Sequence, residues 1–322
     1  KYTEGRFLPY FFPDTFYEGN DPCVEAVENW ICARRAILRK PVDRIGYGGY
    51  LSLAYQFPSF VDCIEKIADE FRDIYDTIHG ITPYNGLKVA ILNSWGKLRS
   101  WQTYMVAHAL WYKQIYSYLG ILEALSGASV DVAFLSFDDV REHGVPSDVD
   151  VIINAGDAGT AFSGGEEWND EKLVTEIRRW VYQGGGLVGI GEPTAYQKGG
   201  RFFQLADVFG VDKEQGFTLS TDKYFTKQLD RHFLTEDRTS GFDFGESMKN
   251  VYALGEDTEI VEYSNGEVHV AAHSYGKGRG VYLAGLPYSC ENTRLLMRSL
   301  FYAAAKEDRY SLWSADNMKC EV

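Results

Sequence analysis

No stretch of the 322 residues approaches the roughly 20 apolar residues that a bilayer-spanning helix needs, and no secretory leader pattern is visible at its start. A membrane-spanning protein is therefore not expected. Positive charge is also scarce. Lys and Arg number 32 against 46 Asp and Glu, for a net charge of −14. Nucleic acids and anionic membranes recruit basic patches, so neither is expected as a partner. Cysteine occurs five times, an odd count with no CxxC, which argues against a disulfide framework and for a reducing, cytoplasmic setting. The six histidines are scattered, and none pairs at metal-ligand spacing, so no zinc or other metal site is expected. Two nucleotide motifs are missing as well. Gly189-Ile190-Gly191-Glu192-Pro193-Thr194 puts Thr194 where a dinucleotide fingerprint has its third glycine, and no GxxxxGK[ST] occurs. No cofactor is expected.

Aromatic residues are abundant: 22 Tyr, 19 Phe and 7 Trp, 15% of the chain. They suit a protein that stacks sugar rings, and equally one that buries large side chains in its core. The β-branched run at Val149–Ile153 ends in the small-residue stretch Asn154-Ala155-Gly156, and two comparable runs occur at 130–137 and 186–192. Apolar runs bounded by glycine read as strands buried on both faces, and their alternation with helical patterns defines an α/β domain. Ligands in such sheets gather at the carboxyl ends of the strands, which is where the loop DAGTAFSGG lies.

Residues 1–20 form an aromatic-rich segment broken by Pro9 and Pro13, with Arg6 among Phe7, Tyr10, Phe11 and Phe12. An anion or sugar site and a surface arginine beside a core cluster fit this composition equally. A helix follows over 21–40, with Asp21 as cap and Pro22 in its first turn. The segment 42–50 is strand-like. A second helix runs over 59–77, where Ser59 and Asp62 resemble a capping box. The turn-rich 79–86 marks a domain boundary. Beyond it come strands at 87–92, 130–137, 149–155 and 186–191. Helices are expected at 102–126, 170–183 and, briefly, 201–209. Residues 211–247 are not assigned. Four further strand-like pieces precede a final helix from Cys290 to about Lys306, and Gly276-Lys277-Gly278 reads as a hairpin turn.

The strand-to-helix elbow at 189–193 is where a hydrolase or amidotransferase would carry its nucleophile. Here Gly191 and Glu192 occupy it, with no Ser or Cys. Asp157, Glu166 and Glu167 could supply paired carboxylates for glycoside hydrolysis, but acids just ahead of a helix are also favoured electrostatically, and that reading is preferred. Cys290 is on the wrong side of the strand order to serve as an elbow.

The segments KYTEGRFLPYFFPDTF, RKPVDRIGYGGYLSLA, LNSWGKLRSW, YSYLGILEALSG, VAFLSFDDV, INAGDAGTAFSGGEEW and GEPTAYQKGGRFFQLADVFGV resemble the galacto-N-biose/lacto-N-biose phosphorylases, glycoside hydrolase family 112. The resemblance covers essentially the whole chain. It implies the last part of an irregular (β/α) barrel over residues 1–82. A flavodoxin-like, doubly wound α/β domain akin to an inactive amidotransferase would follow over 83–307, with a truncated C-terminal β region beginning at 308–322. The implied reaction cleaves β-1,3-galactosyl-N-acetylhexosamines with inorganic phosphate as co-substrate, giving α-galactose 1-phosphate with inversion. One carboxylic acid protonates the leaving oxygen while phosphate attacks, so no second carboxylate base is needed.

The general acid and most galactose contacts would precede Lys1, so no catalytic residue is assigned here, and the chain by itself is expected to be inactive. By resemblance Arg6 would hold phosphate, Tyr10 would bond to or stack on the sugars, and Phe12 would wall the acceptor site. Arg44 and Tyr50 are weaker candidates. A homodimer is expected. Two alternatives stand beside this reading. One is a non-catalytic α/β module for oligomerisation or scaffolding; the other is a galactosyl-rhamnose phosphorylase of the same family.

Overall fold

The computed structural model describes residues 4–7, 22–39, 41–47, 56–94, 115–214 and 227–310. Two compact units divide near Tyr84.

The first unit reads β-α-β-α. Strand β1 (Glu4–Phe7) is followed by helix α1 (Pro22–Arg39), strand β2 (Arg44–Tyr47) and helix α2 (Pro58–Ile78). The strands pair in parallel, with Glu4 opposite Arg44 and Phe7 opposite Tyr47. Residues 4–7 are therefore a strand rather than the irregular segment that Pro9 and Pro13 suggest. On α1, Ala26, Trp30 and Ile37 recur at helical spacing, and they bury against Phe60, Cys63 and Ile67 of α2. Glu70 accepts the Trp30 indole N–H at 2.6 Å and also pairs with Arg34, tying polar groups to the edge of that seam. The Ser59–Asp62 capping box does not form. Pro58 takes the first helical position and moves the cap back to Phe57, which offers no side-chain acceptor.

The second unit is a seven-stranded sheet. In chain order its elements are β3 (Leu87–Asn93), α3 (Ile115–Leu125), β4 (Val130–Ser136), α4 (Phe137–His143), β5 (Val151–Gly156), α5 (Glu171–Tyr182) and β6 (Gly186–Gly191). Next come β7 (Ala195–Lys198), β8 (Arg201–Phe203), the one-turn helix α6 (Ala206–Phe209), β9 (Val211–Lys213) and β10 (Val251–Ala253). The unit closes with β11 (Glu259–Ser264), β12 (Glu267–Tyr275), β13 (Gly278–Leu283) and α7 (Cys290–Ala303). The sheet order is β11-β12-β13-β6-β5-β3-β4. The five strands from β13 to β4 are parallel, and β12 and β11 extend them antiparallel through the Gly276–Gly278 turn.

β5 and β6 are buried at every position, as runs of β-branched and glycine residues demand of central parallel strands. Ile152 and Leu187 pack with Leu173, Val174 and Ile177 of α5. Successive strand side chains point to opposite faces, so Ile91, Ile153 and Val188 serve the face that α3 and α7 cover. Burying each such aliphatic side chain stabilises the fold by about 1.5–3 kcal/mol.

The chain departs from the sequence expectation in two places here. Only 206–209 of the helix expected over 201–209 is helical, and 201–203 is a strand. Gly199 and Gly200, at φ 62° and 77°, turn β7 into β8 as a hairpin. The buried Asp212 carboxylate then accepts the Phe203 and Lys213 backbone N–H groups, each at 2.8 Å. The strand expected over 130–137 stops at Ser136, which caps α4. Its hydroxyl accepts the Asp139 N–H, and the Asp139 carboxylate accepts that of Ser136, a capping box with aspartate in the acidic position.

Candidate functional site

Arg6 is the third residue of β1, opposite Gly46 of β2. It therefore sits toward the carboxyl end of a parallel pair, where β/α arrays collect their ligands. Arg44 opens β2 opposite Glu4, at the amino end, away from that edge. Tyr10, Phe12 and Tyr50 lie outside the described residues.

In the second unit, the carboxyl ends of β3, β5 and β6 meet the loop 157–165 and the turn 192–194. Asn154, near the end of β5 and fully buried, joins them. Its Nδ2 donates to the Ser163 carbonyl at 2.9 Å, and its Oδ1 accepts the Thr194 backbone N–H at 2.8 Å. Thr194 sits at φ 54°, a conformation that a β-branched residue rarely adopts. Its hydroxyl is not free to attack anything, because it accepts the Leu205 N–H at 3.3 Å inside the core.

The loop is knotted by its own polar groups. The Asp157 carbonyl accepts both the Thr160 and the Ser163 hydroxyls at 2.7 Å, and the Ser163 carbonyl accepts the Trp168 indole N–H at 2.6 Å. Gly164, at φ 114°, has no room for a Cβ, which would stand 2.4 Å from the Phe137 ring.

Glu192 holds the elbow position, as the sequence indicates. Its carboxylate accepts the Ala158 N–H at 2.8 Å and pairs with Lys213, whose ammonium also lies 5.3 Å from the centre of the Phe202 ring. Glu167 pairs with Arg141, which also reaches Asp170 at 2.7 Å. Burial raises the Asp170 carboxyl, but the Arg141 guanidinium and the Lys172 N–H more than offset it, so Asp170 titrates below its ordinary range. Asp170 caps α5, and Glu167 lies in the short 3₁₀ turn before it. Arg141 thus ties Glu167 to the Asp170 cap of α5. Among the described residues no group of three or more His, Cys, Asp and Glu could hold a metal ion, and Cys290 is the exposed first residue of α7.

Sequence reasoning passed over Asn154 and Lys213. Asn154 looked like the opening of a loop rather than the end of a strand, and Lys213 fell in the unassigned 211–247 stretch. Beside the knot lies a cavity of about 540 Å³. It is lined by Ser94 after β3, by the loop 158–167, by Ala195–Gln197 and by Phe202.

The fold and this elbow define an α/β protein in which a β/α segment precedes a parallel-sheet unit, with no catalytic nucleophile at the sheet's elbow. A model of the lacto-N-biose phosphorylase central domain matches residues 88–308, and one of the lacto-N-biose phosphorylase N-terminal TIM barrel domain matches residues 1–86. The chain belongs to the lacto-N-biose phosphorylase family. It is 54% identical to a 1,3-β-galactosyl-N-acetylhexosamine phosphorylase of Bifidobacterium longum, over 100% of this chain and 47% of that protein. A protein of the same description from Lachnoclostridium phytofermentans is 55% identical, over 100% of this chain and 44% of its own. A D-galactosyl-β-1→4-L-rhamnose phosphorylase from the same organism is 37% identical over 94% of this chain and 42% of its own. The chain thus spans under half the length of these curated relatives. Among solved structures, the cold-adapted β-galactosidase of Rahnella sp. R3 aligns over 94% of this chain and 44% of its own, with a TM-score of 0.54 at 14% identity. That likeness concerns the fold alone.

Proposed function

We propose that this chain is part of an inverting phosphorylase that cleaves β-1,3-galactosyl-N-acetylhexosamines with inorganic phosphate, releasing α-galactose 1-phosphate and the free N-acetylhexosamine. The observation that carries this reading is the 54–55% identity to 1,3-β-galactosyl-N-acetylhexosamine phosphorylases over the whole chain. The lower identity of 37% to the galactosyl-rhamnose enzyme ranks the rhamnose acceptor second. In this reading the barrel carries the chemistry, and the general acid is supplied outside these 322 residues. Arg6 holds the attacking phosphate, since a planar guanidinium matches two phosphate oxygens at once. Tyr10 contacts the sugars and Phe12 walls the acceptor. The position of Arg6 toward the carboxyl end of β1 supports its role.

The sheet unit acts as a supporting, flavodoxin-like domain. The order β4-β3-β5-β6-β13 supports that reading, since it is 2-1-3-4-5 when the parallel strands are numbered along the chain. A homodimer and a cytoplasmic location rest on the family resemblance and on the odd cysteine count. The test is phosphorolysis of galacto-N-biose, lacto-N-biose and galactosyl-rhamnose by the full-length protein, read as galactose 1-phosphate formed. Arg6→Ala should raise the KM for phosphate far more than that for the disaccharide, and Arg6→Lys should restore it in part. Equal effects on both substrates would remove Arg6 from the phosphate site. Preferred cleavage of galactosyl-rhamnose would overturn the acceptor assignment.

A further inference from the structure

The cavity beside the Asn154 knot has a position, a size and a lining that together select a ligand. In the sheet, β5 lies beside β3 rather than beside β4, which precedes it in sequence. The chain thus runs outward from β3 to β4 and then returns past β3 to β5. The carboxyl ends of β3 and β5 flank this reversal, the crevice where open α/β sheets bind their ligands. Ser94, the first residue after β3, and the loop that follows β5 line the cavity. Its volume of about 540 Å³ falls within the range of small-molecule sites.

The lining chemistry narrows the ligand class. Among the described lining residues there is no Lys or Arg, and Glu166 contributes a carboxylate, while Glu167 is paired with Arg141. The described lining therefore offers a phosphate or nucleotide no cationic partner. Tyr196 and Phe202 offer aromatic surface, Ser94 and Gln197 can donate and accept, and Gly159, Gly164 and Gly165 leave the backbone open to close approach. Carboxylates and amides that accept hydroxyl protons, combined with aromatic faces for ring C–H groups, match a neutral polyhydroxyl ring. We propose that Ser94, Glu166, Tyr196, Gln197 and Phe202 of the sheet unit form a site for a neutral saccharide of one or two rings. The proposal rests on this cavity and not on the phosphorylase reading.

The experiment measures binding of galactose, N-acetylglucosamine and lacto-N-biose to the 322-residue chain by saturation-transfer NMR and calorimetry, with inorganic phosphate as the anionic control. Two variants probe the cavity: Ala158→Trp, which fills it, and Tyr196→Ala, which removes an aromatic wall and keeps the test open if the larger side chain prevents folding. Lys172→Ala, exposed on α5 and outside the lining, serves as the control. The expected result is binding of at least one saccharide, weakened about tenfold or more by Tyr196→Ala and by any folded Ala158→Trp protein, and unchanged by Lys172→Ala. Absence of saccharide binding at about 10 mM to the folded chain would overturn the proposal. So would saccharide binding that the cavity variants leave intact, or phosphate binding that the cavity variants abolish. A phosphorolysis result for the full-length protein, positive or negative, bears on none of these outcomes.

Discussion

The Asn154 Oδ1 accepts the backbone N–H of Thr194 at 2.8 Å, joining the end of β5 to the turn after β6 across forty residues of chain. That bond holds a β-branched residue at φ 54° in the fully buried centre of the second unit. Thr194 lies two residues past Glu192, which holds the elbow position where a hydrolase of similar architecture would display a nucleophile. Here its strain is locked into packing, because the Thr194 hydroxyl and carbonyl are both engaged as well.

Asn154→Ala should therefore be severe. It orphans the buried Thr194 N–H, at about 1–3 kcal/mol, and removes one of the two donors to the Ser163 carbonyl, which keeps the Trp168 indole. A loss of roughly 2–4 kcal/mol in urea unfolding is expected. Thr194→Gly relieves a left-handed strain of about 1–2 kcal/mol, while Thr194→Val keeps it, and both lose the acceptor for Leu205. The glycine variant should thus be the more stable of the two. The reverse order would show that φ at this position carries no strain.

The pair between Glu192 and Lys213 is largely shielded from water. Glu192→Ala leaves the ammonium partly buried over Phe202 and frees the Ala158 N–H, for an expected cost of about 2–4 kcal/mol. Replacing both, as Glu192→Ala with Lys213→Met, should recover much of that cost, because the uncompensated charge is gone. Additive single and double losses would show that the two side chains act independently.

Gly120 tests packing against propensity. Alanine in a helix interior is favoured over glycine by about 1 kcal/mol. A Cβ at Gly120 of α3, however, would stand 2.3 Å from the Leu286 carbonyl oxygen and 2.8 Å from the Tyr288 nitrogen, both of them backbone atoms. Gly120→Ala should lower the melting temperature despite its better propensity. A rise would mean that α3 can shift away from the 286–288 segment at little cost.

His269 sets an acid limit on stability. It is buried on β12 and stacked on Phe244 with ring centres 4.7 Å apart. Burial outweighs the pull of the Ser264 backbone and of Glu262 and Glu267, and lowers its pKa below the ordinary 6.5. A lowered histidine means that the unfolded chain binds the proton first. Its contribution to stability is then complete above pH 6.5 and declines as pH falls from there toward the folded-state value. The depressed carboxylates Asp170, Asp257 and Glu259 lose their contributions only at lower pH, below about 4. Unfolding free energy measured from pH 7 to 5 should slope downward, and His269→Phe should flatten that slope. An unchanged slope would assign it to other groups.

The alternation of β-branched runs with helical patterns was enough to locate β3, β4, β5, β6 and α5, because continuous apolar runs have few options besides a buried parallel strand. The absence of a nucleophile at the elbow was also plain in Gly191 and Glu192. Local chemistry misled where two signals competed. The Phe-rich 201–209 stretch has a helical look, but the Gly199-Gly200 turn and the Asp212 carboxylate hold its first residues as a strand. Ser59 and Asp62 had the pattern of a cap, but Pro58 had already started the helix.

Sequence by itself therefore determined the class of fold, the family and the lack of an elbow nucleophile, since periodicity and residue identity are local properties. Only the tertiary structure decided that β5 pairs with β3 across the sheet, that Asn154 grips Thr194, and that a cavity opens at the resulting reversal. Those features join residues 40 to 60 or more positions apart. Their partners are selected by burial and strand order, which no local pattern encodes.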